Sequence, residues 1–93
     1  MNNSHTTQIF KSLADDMRLT IVRTLADNHC EESSSSIVHD CATSLQLSQP
    51  TMSHHFNKLV QAGVLYERKA GTEKFYRLNY DLLMSVGIDP TKI

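Results

Sequence analysis

Residues 48 to 63 constrain this chain more than any other stretch, because they mark both ends of a helix and give it two unlike sides. Ser48 can cap the first turn through its hydroxyl, Pro50 sits where a missing N–H costs little, and Gly63 supplies a stop. Met52, Phe56, Leu59 and Val60 recur at i, i+4, i+7 and i+8, an apolar stripe that must be covered by a core. The opposite side gathers Pro50, Thr51, His54, Asn57, Lys58 and Gln61, with Gln49 and Ser53 on one edge and His55 on the other. These side chains are hydrogen-bonding and almost uncharged, so they can donate and accept toward base edges and phosphates. The free N–H groups of the first turn, beside Gln49, would also favour a phosphate oxygen. A helix that meets only water more often carries Glu and Lys in i,i+4 pairs. Polar faces are nevertheless common, so this helix alone fits either a probe for nucleic acid or a solvated surface.

Charge is distributed in a way that favours the first reading. The net charge of −1 over 93 residues argues against indiscriminate binding to polyanions. Residues 1 to 47 carry a balance of about −3, whereas residues 48 to 77 carry about +3, from Lys58, Arg68, Lys69, Lys74 and Arg77 against Glu67 and Glu73. A chain of this length supports one small domain with one modest core, a size at which dimerisation relieves marginal stability. No apolar run approaches a membrane span, and no basic-then-apolar leader opens the chain, so a cytoplasmic protein is expected. Two cysteines, Cys30 and Cys41, are too few for a disulfide framework.

Taken in order, the pattern predicts a first helix over 7–14, with Ile9, Phe10, Leu13 and Ala14 on one side, after a polar, frayed start. Asp15 is a good N-cap for a second helix over 16–27, whose Met17, Leu19, Ile21, Val22, Leu25 and Ala26 make it central. Residues 28 to 36, with two glutamates and four serines, read as a mobile loop in which a few serines could pair as a short strand. A third helix follows over 38–46, and Leu47-Ser48 turns directly into the helix over 48–62. Two short helices joined so tightly, the second with a polar face, form a helix-turn-helix. Residues 64–70 and 73–78 alternate as strands around a turn at Gly71-Thr72, giving a wing over 65–78 flanked by Arg68, Lys69 and Lys74. Such a basic hairpin can lie along a phosphate backbone. Asn79 caps a last short helix over 80–86, ended by Gly87 and Pro90. The expected fold class is α+β, mostly helical: a single winged helix-turn-helix domain over 1–93, with a two-stranded β-hairpin wing.

These residues resemble the ArsR/SmtB family of bacterial winged-helix repressors. The resemblance is carried by FKSLADDMRLTIVR at 10–23, LSQPTMSHHF at 47–56, LVQAGVL at 59–65 and FYRL at 75–78. It implies a homodimer held by the first and last helices, a recognition helix in the major groove of double-stranded operator DNA, and release when an inducer binds. By position it implies DNA contacts at Ser48, Gln49, Thr51, Ser53 and His54, with Arg68, Lys69 and Lys74 on the wing. The polar face adds Asn57 and Lys58. His55 matches a position where members often carry histidine, and its flanking placement gives it a partly structural role. Arg18 matches a recurrent arginine, expected to be structural or near the DNA backbone. Many metal-sensing members open the third helix with Cys-x-Cys-Asp, but Ile37 and His39 stand at those positions here. The last helix, where other members bind metal with carboxylates and histidines, offers only Asp81 and Asp89. Both of those metal sites are therefore expected to be absent, and no cofactor is expected.

Other groupings carry less. Cys30, His39 and Cys41 include soft ligands suited to zinc or copper(I), but their spacing matches no tight motif. Cys41 reads more simply as a small buried hydrophobe, and Cys30 as an exposed thiol open to oxidation. Adjacent His54 and His55 point about 100° apart on a helix and cannot easily chelate one ion. No nucleophile, base and orienting group appear together, and no glycine-rich phosphate loop, so an enzyme is not expected. The expectation is a sequence-specific DNA-binding regulator, a dimeric repressor. Two alternatives stand beside it: a winged-helix protein-interaction module without an operator, and a regulator answering to thiol chemistry or metal at Cys30 and Cys41.

Overall fold

A computed structural model describes residues 3–28, 31–45 and 49–93, and the side chains of 5–27, 31–40 and 51–93. The elements run α1 (Asn3–Leu13), α2 (Asp16–Asn28), β1 (Glu32–Ser33), α3 (Ser34–Leu45), α4 (Gln49–Gln61), β2 (Leu65–Ala70), β3 (Glu73–Leu78) and α5 (Tyr80–Ser85), with a final 3-10 turn at Pro90–Lys92. Among the described residues, no helix is long and apolar enough to cross a membrane.

Local chemistry explains most boundaries. Asp15 Oδ1 accepts from the N–H groups of Met17 (2.9 Å) and Arg18 (3.1 Å), satisfying two orphan donors at the start of α2. After α4, Gly63 adopts φ +81°, a left-handed conformation open to glycine at little cost. This lets Gly63 N–H reach Val60 O and Val64 N–H reach Leu59 O, both at 3.0 Å, which closes the last turn. Asn79 Oδ1 accepts from Leu82 N–H and starts α5.

The core gathers the apolar faces of every helix. Ile9 and Leu13 of α1, Ile21, Val22 and Leu25 of α2, Ile37 of α3, Met52, Phe56 and Leu59 of α4 and Leu83 of α5 are all buried in it. The inward side of the hairpin, Leu65, Tyr76 and Leu78, closes the other wall. With Met17 and Ala26 also buried, α2 runs through the middle. The sheet order is β1-β3-β2, both pairs antiparallel, so the hairpin is joined by a third strand.

Two sequence expectations need correcting. The first helix begins at Asn3, four residues before the expected start: with Ile9 and Leu13 anchored, each added turn only propagates an existing helix. In the polar stretch before the third helix the short strand allowed for there does form, but the helix starts earlier than expected. Glu32 and Ser33 pair with Tyr76 and Phe75, and α3 already begins at Ser34. Nothing there needs to be apolar, because the helix start is held by hydrogen bonds. Ser33 Oγ caps Ser36 N–H at 3.2 Å, while the Glu73 carboxylate accepts from the hydroxyls of Ser34 (2.8 Å) and Ser35 (2.9 Å) and from Ser35 N–H. A carboxylate at a helix N-terminus is also favoured by the helix dipole. These bonds, those of Ser34 first, hold the Glu73 carboxyl below its usual range.

Candidate nucleic-acid interface

The two sides of α4 separate cleanly. Met52, Phe56 and Leu59 are at most 3% exposed, whereas Ser53, His54, Asn57, Lys58 and Gln61 all face out. Thr51 is half-buried. Among the described residues, Ser53, His54, Asn57, Lys58 and Gln61 thus present donors and acceptors to solvent along about two and a half turns of helix. Phe56 connects this helix to the wing: its ring stacks on Tyr76 with centroids 4.4 Å apart and planes 13° from parallel. Tyr76 in turn donates its hydroxyl to Glu67 Oε1 at 3.0 Å, and burial, then that bond, push its phenol well above the usual range.

The hairpin register sorts the wing's cations by face. Lys69 pairs directly with Lys74, and Glu67 with Tyr76, on the side that continues into the core. Arg68 pairs with Phe75, and Tyr66 with Arg77, on the other side. There the Arg68 guanidinium lies 4.6 Å from the Phe75 ring centre and makes a bidentate contact with Glu31, its Nη2 2.7 Å from Oε1. The Arg68 hydrogen bond, ahead of its charge, holds the Glu31 carboxyl below its usual range. Arg77 stacks over Tyr66 in the same manner. On the first side, Lys74 approaches Glu67 at 3.5 Å, and no carboxylate among the described residues pairs with Lys69. Two lysines directly opposite repel one another, a cost that a bound anion would relieve.

Between α4 and the wing lies a crevice of about 180 Å³ lined by Ser53, Phe56 and Asn57 of α4, Thr72, Lys74 and Tyr76 of the hairpin, and Ser34. The fold therefore assembles Ser53, Asn57 and Lys74 from the sequence-derived set and sends Arg68 elsewhere. Ser34 and Thr72 were missed. Thr72 adjoins the turn glycine, which hinted at its place, but nothing local marks one serine of four as a neighbour of α4.

Behind α4, His55 is nearly buried and belongs to a junction of three helices. Arg18 Nε donates to Ser12 O at 2.6 Å near the end of α1, and its Nη1 lies 3.2 Å from His55 Nδ1. A guanidinium only donates, so His55 Nδ1 must accept, which selects the neutral ring with its proton on Nε2. Asp15 Oδ1, 3.8 Å from the same nitrogen, favours the charged ring; burial first, then Arg18 and His54, outweigh it, and the His55 pKa is lowered. Burial also works against the Asp15 charge, but the Arg18 N–H, then His55 and Arg18, bring that carboxyl below its ordinary value.

Of the remaining candidates, Ser48 and Cys30 lie outside the described residues, as do the side chains of Gln49 and Cys41. His39 is exposed on α3, and Ile37, at a position where the family's thiolates would stand, is fully buried in the core. Among the described residues, no three His, Cys, Asp or Glu groups gather as they would around a metal ion.

Comparison with known proteins agrees with this architecture. Residues 15–67 match the arsR family of bacterial regulatory proteins. An uncharacterised HTH-type transcriptional regulator of Methanocaldococcus jannaschii is 38% identical over 79 residues, 85% of this chain and 83% of that protein. The arsenical resistance operon repressor of Escherichia coli is 42% identical over 72 residues, 77% of this chain but 57% of its own length. Among solved structures, the homodimeric winged helix-turn-helix DNA-binding domain of a possible ArsR-family regulator from Mycobacterium bovis superposes with a TM-score of 0.70. It is 26% identical, over 89% of this chain and 72% of that one. A profile match over more than half the chain, two relatives above 30% identity and a shared winged-helix frame together place the protein: it is a member of the arsR family of bacterial regulatory proteins, a DNA-binding regulator of transcription and not an enzyme.

Proposed function

We propose that the protein is a cytoplasmic repressor that binds an inverted-repeat operator as a homodimer and leaves it when an inducer binds. In this reading α4 enters the major groove. Ser48, Gln49, Thr51, Ser53, His54 and Asn57 meet base edges or nearby phosphates, and Lys58 takes a phosphate. Lys69 and Lys74 grip the adjoining phosphate rail from the inner face of the wing, while Arg68 acts at its back edge. The observation that carries the reading is the exposed outward face of α4, seated on the buried Met52, Phe56 and Leu59 and flanked by a crevice that Lys74 of the wing lines. The dimer is supported by exposed large apolar side chains on the first and last helices, Phe10 (49%) and Met84 (58%). The Mycobacterium bovis domain is itself homodimeric. Neither family metal site is proposed for this chain: Ile37 occupies the first, and α5 offers no histidine to the second.

Selection of bound duplexes from a random pool by the full chain tests the proposal. A two-fold symmetric consensus with half-sites about one helical turn apart is expected. Bound sequences without that symmetry, or no enrichment at low salt, would contradict it.

A further inference from the structure

A second concavity lies away from the wing, where α1, the start of α2 and the end of α4 meet. It encloses about 400 Å³ and is lined by Gln8, Lys11, Ser12, Arg18, Lys58 and Gln61. Three cations from three helices face one space, with two amides beside them and no acidic side chain in the wall. Among the described residues, no ion pair within 4.0 Å is seen at Lys11, Arg18 or Lys58. On the wing, by contrast, Arg68 and Lys74 each have a glutamate. Asp15, beside His55, offsets part of the Arg18 charge from outside the lining, while Lys11 and Lys58 show no ion pair among the described residues, and low-dielectric walls concentrate the field that remains. Arg18 is also fixed in place. Its Nε and Nη1 are engaged by Ser12 O and His55, so the planar guanidinium is oriented before anything binds.

We propose that this cleft binds a small free oxyanion, of the size and charge of a diphosphate or a di- or tricarboxylate. The volume falls in the range of small-molecule sites, roughly 300–1,000 Å³. Amides at Gln8 and Gln61 can donate to oxygens that the cations leave over. A free anion fits better than a duplex phosphate, because Arg18 is half-buried and a small anion reaches it more easily than a rigid backbone does. An occupant would engage Lys58, a cation of the DNA-facing helix, and would contact the arginine that ties α1 and α2 to that helix through His55. The site itself does not depend on the operator reading.

Pyrophosphate titrated into the full chain without DNA, at ionic strength held constant with chloride, tests the assignment by amide NMR shifts and thermal melting. A saturating response is expected, with shifts at Lys11, Arg18 and Gln61, weakened at least fivefold in Lys11→Gln and changed less than twofold in Lys92→Gln, at an exposed cation of the final 3-10 turn. A response that never saturates, or equal weakening in both variants, means diffuse attraction and overturns the proposal. Affinity for duplex DNA in anion-free buffer separates the two sources of phosphate. It stays within twofold in Lys11→Gln if the cleft serves a free anion, and a tenfold loss would reassign the cleft to the DNA backbone.

Discussion

Replacing single wing cations with glutamine should separate them by face. Each Lys or Arg that neutralises a phosphate on double-stranded DNA contributes about 0.9 to the slope of log affinity against log salt. Lys69 and Lys74 share the inner face, and Lys69 has no carboxylate partner among the described residues. In a two-fold dimer, Lys69→Gln therefore removes about 1.8 from the slope, one contact per subunit. Across a fourfold rise in salt, the parent should then lose about 12-fold more affinity than the variant. Arg68 lies on the back face, in bidentate contact with Glu31 and stacked over Phe75, so a phosphate would have to replace a partner it already has. Arg68→Gln should leave the slope within about 0.5 of the parent value. Fluorescence anisotropy of a labelled random-sequence duplex, titrated from 50 to 200 mM salt, reads all three slopes. Equal slope losses for Arg68→Gln and Lys69→Gln would refute the assignment of faces, since a clamped cation would then release as many counterions as a free one.

Three further outcomes follow from the packing. The lowered His55 pKa means that the unfolded chain takes up that proton first, so the stability due to the neutral ring is complete above pH 6.5 and declines as the pH falls below it. Urea midpoints between pH 7.5 and 5 should show that decline, and His55→Gln, which keeps an acceptor toward Arg18 but cannot titrate, should flatten it; an unchanged decline would remove His55 as its source. Phe56→Ala, at a side chain 3% exposed and stacked on Tyr76, should cost about 3–5 kcal/mol in chemical denaturation, and a loss under about 1 kcal/mol would mean the site is not the packed joint described. Gly63→Ala places a Cβ at φ +81°, 3.2 Å from Leu82 Cδ2, and should cost about 1–2 kcal/mol; a neutral result would show that the turn adopts another conformation.

Much of the fold is legible in sequence because its signals are local. A cap such as Asp15 or Asn79 acts on N–H groups two or three residues away, and Gly63 sets its own dihedral angle. Helical spacing alone placed Met52, Phe56 and Leu59 inside and Ser53, His54, Asn57 and Lys58 outside, since an amphipathic helix has only one way to cover its apolar stripe. The family motifs lie in the same stretches, so the resemblance and the periodicity point to one architecture.

What only the tertiary structure decided involves partners far apart in the chain. Ser34 and Ser35 begin a helix because Glu73 reaches them from 38 or 39 residues away, and Glu32 and Ser33 become a strand because β3 has an open edge beside them. Arg68 counts as one more wing cation in composition, yet alternation turns it to the back and Glu31, 37 residues earlier, holds it there. Arg18 and His55, again 37 residues apart, become a junction, and Lys11, Arg18 and Lys58 share one cleft. Periodicity and capping are energies of neighbouring residues, so a sequence states them directly. Which charges end up opposed, clamped or left unneutralised depends on how packed helices bring remote side chains together, and that is settled only when the core closes.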